Sequence, residues 1–125
     1  MNNAAARLIL VYNADGGFLN MVKDGLHKLL RPATYPCSLC ALTYGPVMMR
    51  GRWRRFLRAT QMPVTFHHRD DFAVAFPESD VPLPVVMWQG AGAQPALLVR
   101  AAELDTMPDL AALIACVEAR LAALA

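Results

Sequence analysis

The sequence predicts an α/β fold: an open four-stranded mixed sheet flanked by helices, formed as a single domain over residues 1–125. Three observations predict it. Short apolar runs of strand length recur at Arg7–Tyr12, Val64–His67, Val85–Trp88 and Ala96–Arg100. Segments with apolar residues three and four apart lie between the first two runs and after the last. The last two runs are joined only by the loop Gln89–Pro95, a connection that allows an antiparallel pair and no crossover.

Arg7–Tyr12 (RLILVY) is short, apolar and bounded by the turn signal Asn13-Ala14-Asp15-Gly16-Gly17, so it reads as a fully buried strand. Asn13 or Asp15 can cap the helix that follows. Phe18, Leu19, Val22, Leu26, Leu29 and Leu30 make one apolar stripe of that helix, and Pro32 stops it. Residues 31–47 contain Pro32, Gly45 and Pro46 and show no clear period, so they read as a return loop. Met49, Trp53, Phe56 and Leu57 then predict a second helix over about 48–60. Both helices run the same way, because the second feeds a strand parallel to the first. The return loop therefore climbs about one helix length, ~20 Å, within the reach of its residues. Whether it passes the flank of the first helix or the upper edge of the sheet is open at this level.

Val64–His67 is the second strand, and Asp70–Phe76 a brief helix stopped by Pro77. Val85–Trp88 and Ala96–Arg100 form a hairpin. In the last helix Thr106 and Asp109 make a capping-box-like pair, with Pro108 tolerated in the first turn. Leu110, Leu113, Ile114, Val117, Leu121 and Leu124 form its continuous stripe.

Composition narrows the function classes. The chain is 56% hydrophobic and 18% charged, which excludes a disordered or low-complexity protein. Three cysteines, an odd number, argue against an extracellular disulfide framework. A net charge of +2 is too small to be the footprint of a nucleic-acid protein. The apolar run near the N-terminus, Leu8–Tyr12, is too short for a signal peptide or a membrane span. The expectation is a cytoplasmic protein with neither a membrane nor a nucleic-acid partner.

The chain resembles the thioredoxin-like superfamily. The resemblance lies in Leu8–Ala14 (LILVYNA) as first strand, Leu83–Trp88 (LPVVMW) as a proline-initiated third strand, the glycine-containing hairpin and the final amphipathic helix. It implies a cis peptide before Pro84, the one position where the family's functional pattern carries over. It also implies a dithiol directly after the first strand, and here the chain departs: that position reads Asp15-Gly16-Gly17-Phe18. The sequence is also similar to a small bacterial family marked by T-Y-x-C-x-L-C-x-L-T-x-G, here Thr34–Gly45. Members of that family are sometimes labelled GTPases, but this chain has no G-x-x-x-x-G-K-[ST] phosphate loop.

Cys37 and Cys40 form a C-x-x-C pair, a spacing that closes a small disulfide ring or holds one soft metal ion. In a reducing compartment such a pair serves redox chemistry or metal binding more often than permanent cross-linking. The dithiol reading makes Cys37 and Cys40 the catalytic pair beside Pro84, acting on a dithiol or disulfide of a partner protein, with no cofactor. The motif begins no evident helix, so the usual device for lowering a cysteine pKa is not apparent. A zinc-like site is the alternative, with His27, or one of His67 and His68, completing the ligand set. Two free cysteines packed in the interior are the plainer reading. Cys116, on the flank of the last stripe, reads as a core-edge residue. Arg50, Arg52, Arg54, Arg55 and Arg58 give the second helix a basic face. It is either a solvated surface, offset by the acidic segments 69–71 and 78–80, or the docking site of a non-enzymatic interaction module.

Overall fold

Leu8, Leu10 and Tyr12 point to one side of the central strand, and Ile9 and Val11 to the other, and all five are buried. This strand, β1 (Arg7–Val11), is therefore packed on both faces, and the rest of the sheet assembles around it. In the computed structural model, which describes residues 6–14, 37–45 and 48–124, the sheet order is β2-β1-β3-β4. β2 (Val64–His67) runs parallel to β1, with Leu8 opposite Val64 and Val11 opposite His67. β3 (Val85–Gln89) runs antiparallel on the other side, with Val11 opposite Val85 and Arg7 opposite Gln89. β4 (Ala96–Val99) completes the hairpin, with a register shift between Val86 and Met87. The fold class is the expected one: an open four-stranded mixed α/β sheet, first two strands parallel, last two antiparallel.

The hairpin loop turns over Gly90–Ala93, closed by an Ala93 N–H to Gly90 carbonyl bond of 3.1 Å. Gly92 sits at its third position with φ +69°, where a side chain would be strained. The Leu83–Pro84 peptide that leads into β3 is cis, as the resemblance implies.

Helices cover the first face. α1 (Ser38–Thr43) contributes Leu39 and Cys40, and α2 (Gly51–Ala59) contributes Trp53 and Leu57. α4 (Ala101–Leu104) adds Leu104, and α5 (Leu110–Leu124) adds Leu113 and Val117. On the second face α3 (Arg69–Ala75) lays Phe72 over Ile9, Val11, Val85 and Met87. The predicted helix over residues 18–30 lies outside the described residues. No helix among the described residues is long and apolar enough to cross a membrane.

Three local readings are corrected. Residues 31–47 are not all loop, since Cys37 opens α1. Met49 does not begin the second helix: it pairs with Tyr44 in an isolated antiparallel bridge. The Arg50 N–H bonds the Thr43 carbonyl at 2.8 Å, and Arg50 itself is extended, so the helix starts one residue later. Thr106 does not cap the last helix. Its hydroxyl donates to the Glu103 carbonyl and closes α4, too short to show a period, while Asp109 alone accepts the Ala112 N–H at 2.9 Å.

Arg120 ties α5 to its neighbours. Its guanidinium donates to the Leu98 carbonyl at 2.6 Å and forks onto the Glu103 carboxylate. The Arg120 hydrogen bonds, followed by the Arg100 backbone N–H, hold the Glu103 carboxyl down to about 2 from its usual 4.5. The folded state then binds fewer protons than the unfolded chain, so this contribution is complete above the unfolded value and disappears as pH falls toward 2. Solvent screening keeps it below ~1 kcal/mol. Urea unfolding of Glu103→Gln, followed between about pH 5 and pH 2, is expected to show a shallower acid limb than the parent. Equal slopes would remove the pair from the stability balance.

Candidate functional site

The C-terminal ends of β1 and β2 and the start of β3 meet at one edge of the sheet, where Val11 faces both His67 and Val85. Tyr12 and Asn13 extend β1 past this edge, and the Tyr12 N–H bonds the His67 carbonyl at 2.9 Å. Cys37 is brought to the same edge by the Asn13 backbone N–H, which donates to Cys37 Sγ at 3.3 Å. The return segment thus delivers the cysteines to the upper edge of the sheet. Pro84, buried just ahead of β3, stands at this edge as well.

Cys37 occupies the N-cap of α1, and its sulfur accepts the Cys40 N–H at 3.2 Å. The expectation that the motif begins no helix is therefore overturned. The signal was hidden because Cys is an unusual N-cap and the helix has only six residues. Cys40 follows one turn later, its Cα 5.2 Å from that of Cys37, and the two sulfurs lie at disulfide distance. Cys37 is fully buried and Cys40 is 7% exposed. Two backbone donors thus converge on one sulfur.

The ring of Tyr12 packs beside this pair in the same core. It stacks on Phe66 at 6.4 Å, meets Tyr44 edge-on at 5.6 Å and touches the His68 ring at 5.7 Å. Its hydroxyl is buried without a hydrogen-bond partner, as is Ser38 Oγ within the motif. Burial, reinforced by the neighbouring Tyr44, pushes the Tyr12 hydroxyl pKa well above its usual value, so it stays a neutral donor. Sequence reasoning missed Tyr12 and Thr43. The available signals were alternation, which puts Tyr12 on the face of Leu8 and Leu10, and the three-residue step from Cys40 to the buried Thr43.

The two strand-end histidines part company. His67 turns to the second face, against Phe72 and Phe76, and its Nδ1 lies 2.7 Å from Asp71 Oδ2. Asp71 Oδ1 also accepts the His68 N–H at 2.5 Å and caps α3. Burial acts against it, but the His68 backbone bond and the His67 ring hold the Asp71 carboxyl below its usual range. His68 stays on the side of Tyr12. Among the described residues no group of three His, Cys, Asp or Glu side chains could hold a metal ion. His67 and His68 thus do not complete a zinc site with Cys37 and Cys40, and His27 lies outside the described residues. Cys116 is free and half-buried at the rim of the first core, as expected. The five arginines of the second helix are exposed on α2 and its cap.

Comparison with protein-family models, curated proteins and solved structures found no match.

The Tyr12 hydroxyl has Thr43 and Tyr44 beside it but no partner at hydrogen-bond geometry, so Tyr12→Phe is expected to leave stability unchanged or raise it by up to ~1 kcal/mol. A chemical-denaturation measurement checks this, and a loss of more than ~1 kcal/mol would show that the hydroxyl is engaged. Asp71→Ala is expected to cost about 0.5–2 kcal/mol through loss of the α3 cap. Replacement by Asn, which keeps an acceptor oxygen, should restore most of it.

Proposed function

We propose that this chain carries out thiol–disulfide exchange through Cys37 and Cys40, as a small thioredoxin-like oxidoreductase or redox sensor of a reducing, cytoplasmic compartment. One observation supports the reading above all others: Cys37 Sγ is held by two backbone N–H groups while Cys40 stands one turn away at disulfide distance. The sheet-edge location beside the cis Pro84 agrees with it.

Exposure divides the roles. An intermolecular attack needs access to the sulfur, and Cys40 is the more exposed of the two. Its thiolate attacks one sulfur of a partner protein's disulfide, and the other partner sulfur leaves as a thiolate and takes a proton from solvent. Cys37, buried one helical turn away, then gives up its proton and attacks Cys40 Sγ as the thiolate. The Cys37–Cys40 bond forms and the second partner sulfur departs. Two electrons pass from the cysteine pair to the partner's disulfide, and the reverse sequence oxidises a partner dithiol. The buried resolving sulfur needs no access of its own, because its target is one helical turn away.

The test is a redox titration read by mass spectrometry, with glutathione disulfide as the probe for single variants. The wild-type pair is expected to lose and regain two hydrogens reversibly across roughly −200 to −270 mV. Cys37→Ser is expected to trap glutathione on Cys40, and Cys40→Ser to trap far less. Absence of the Cys37–Cys40 disulfide over that range would end the dithiol reading, and equal trapping by the two variants would reverse the roles.

A further inference from the structure

Arg50, Arg52, Arg54, Arg55 and Arg58 are all exposed on α2 and its cap. Left to itself this arrangement is unfavourable. Arg50 with Arg54 and Arg54 with Arg58 are four residues apart, and Arg52 with Arg55 and Arg55 with Arg58 are three apart, spacings at which like charges on a helix repel. The first turn, where the helix dipole favours anions, holds Arg52 and no acidic residue. Among the described residues no ion pair relieves these side chains.

Of the acidic segments that the sequence offers as an offset, Asp71 and Glu78 do not reach them. α2 packs on the first face of the sheet through Trp53 and Leu57. Asp71 belongs to α3 on the second face, where it is engaged with His67 and His68, and Glu78 lines a cleft with Phe72 and Phe76 on that same face. Glu103 is committed to Arg120, and Asp109 to the cap of α5. The sheet thus separates the basic face from Asp71 and Glu78, and Glu103 and Asp109, on the same side as the arginines, are already engaged.

Two features select among anionic ligands. Every basic residue on this helix is Arg, whose planar fork matches a carboxylate or a phosphate in pairs of hydrogen bonds. The helix's aromatic residues turn inward, with Trp53 fully buried and stacked on Phe56 at 5.5 Å, so the arginine face offers bases no stacking platform of its own. The helix is also anchored, since the Arg50 N–H is bonded to the end of α1. That anchoring reduces the ordering cost of binding. We propose that the arginine face of α2 docks a carboxylate-rich segment of a partner protein. This surface is independent of the cysteine chemistry.

The experiment is fluorescence anisotropy with a labelled oligoglutamate and an oligothymidylate of equal charge, using the full chain. Oligoglutamate is expected to bind more tightly than oligothymidylate. Its affinity should fall about tenfold in the triple variant Arg54→Gln, Arg55→Gln, Arg58→Gln, and about tenfold again between about 20 and 200 mM salt. Arg100→Gln, an exposed arginine elsewhere, should leave binding unchanged. Circular dichroism checks that the triple variant is folded, and the pair Arg54→Glu, Arg58→Glu supplies a second variant, expected to abolish binding. Equal affinity in the variants, tighter binding of oligothymidylate, or no binding of either probe at low salt would each overturn the proposal. So would salt-sensitive self-association through this face, seen by sedimentation.

Discussion

The burial of β1 on both faces is the constraint from which the rest of the structure follows. A strand whose residues Leu8–Val11 are all buried, with Tyr12 after them, needs two cores, and strict alternation decides which residues belong to each. Leu8, Leu10 and Tyr12 require a cover of helices on one side, and Ile9 and Val11 require Phe72 on the other. Its backbone groups need neighbours on both edges, which β2 and β3 provide. A register slip of one residue would exchange the two cores, so the position of every element at the sheet edge is tied to this pattern.

The candidate site inherits that precision. Where β1 runs out, its last backbone donors no longer have a ladder partner on every side, and Asn13 gives its N–H to a sulfur instead. The same sulfur caps α1. One atom therefore satisfies two backbone donors from segments far apart in sequence, which ties Cys37 to the packing of the central strand. The buried Tyr12 hydroxyl, without a partner in the same region, is a local violation of polar satisfaction, of the kind that gathers at functional sites.

Charge is distributed by the same layering. Because α2 and α3 lie on opposite faces, the arginines of one cannot meet Asp71 and Glu78 of the other face, although α3 is the next helix along the chain. The small net charge of the sequence conceals five exposed arginines gathered on one helix and its cap. Composition averages over the surface, whereas a partner meets one face at a time.

Much of the architecture was legible locally. The RLILVY run, the LPVVMW strand, the short hairpin loop and the stripe Leu110–Leu124 each carry their own period or turn chemistry, and the two-strand parallel pair follows from chain connectivity. The Pro84 junction was legible through family resemblance. Helix boundaries were less so, because Met49 was drawn into a bridge with Tyr44 and Thr106 into the end of a four-residue helix, both by hydrogen bonds that leave no mark on hydrophobic spacing. The position of Cys37 was decided only by the tertiary structure. The C-x-x-C spacing shows that the two thiols can meet, but the bond that sets the cysteine at the sheet edge joins Asn13 to Cys37 across 24 residues. No local periodicity encodes a contact of that range, since it exists only once β1 is buried and the segment carrying the cysteines has packed against its end.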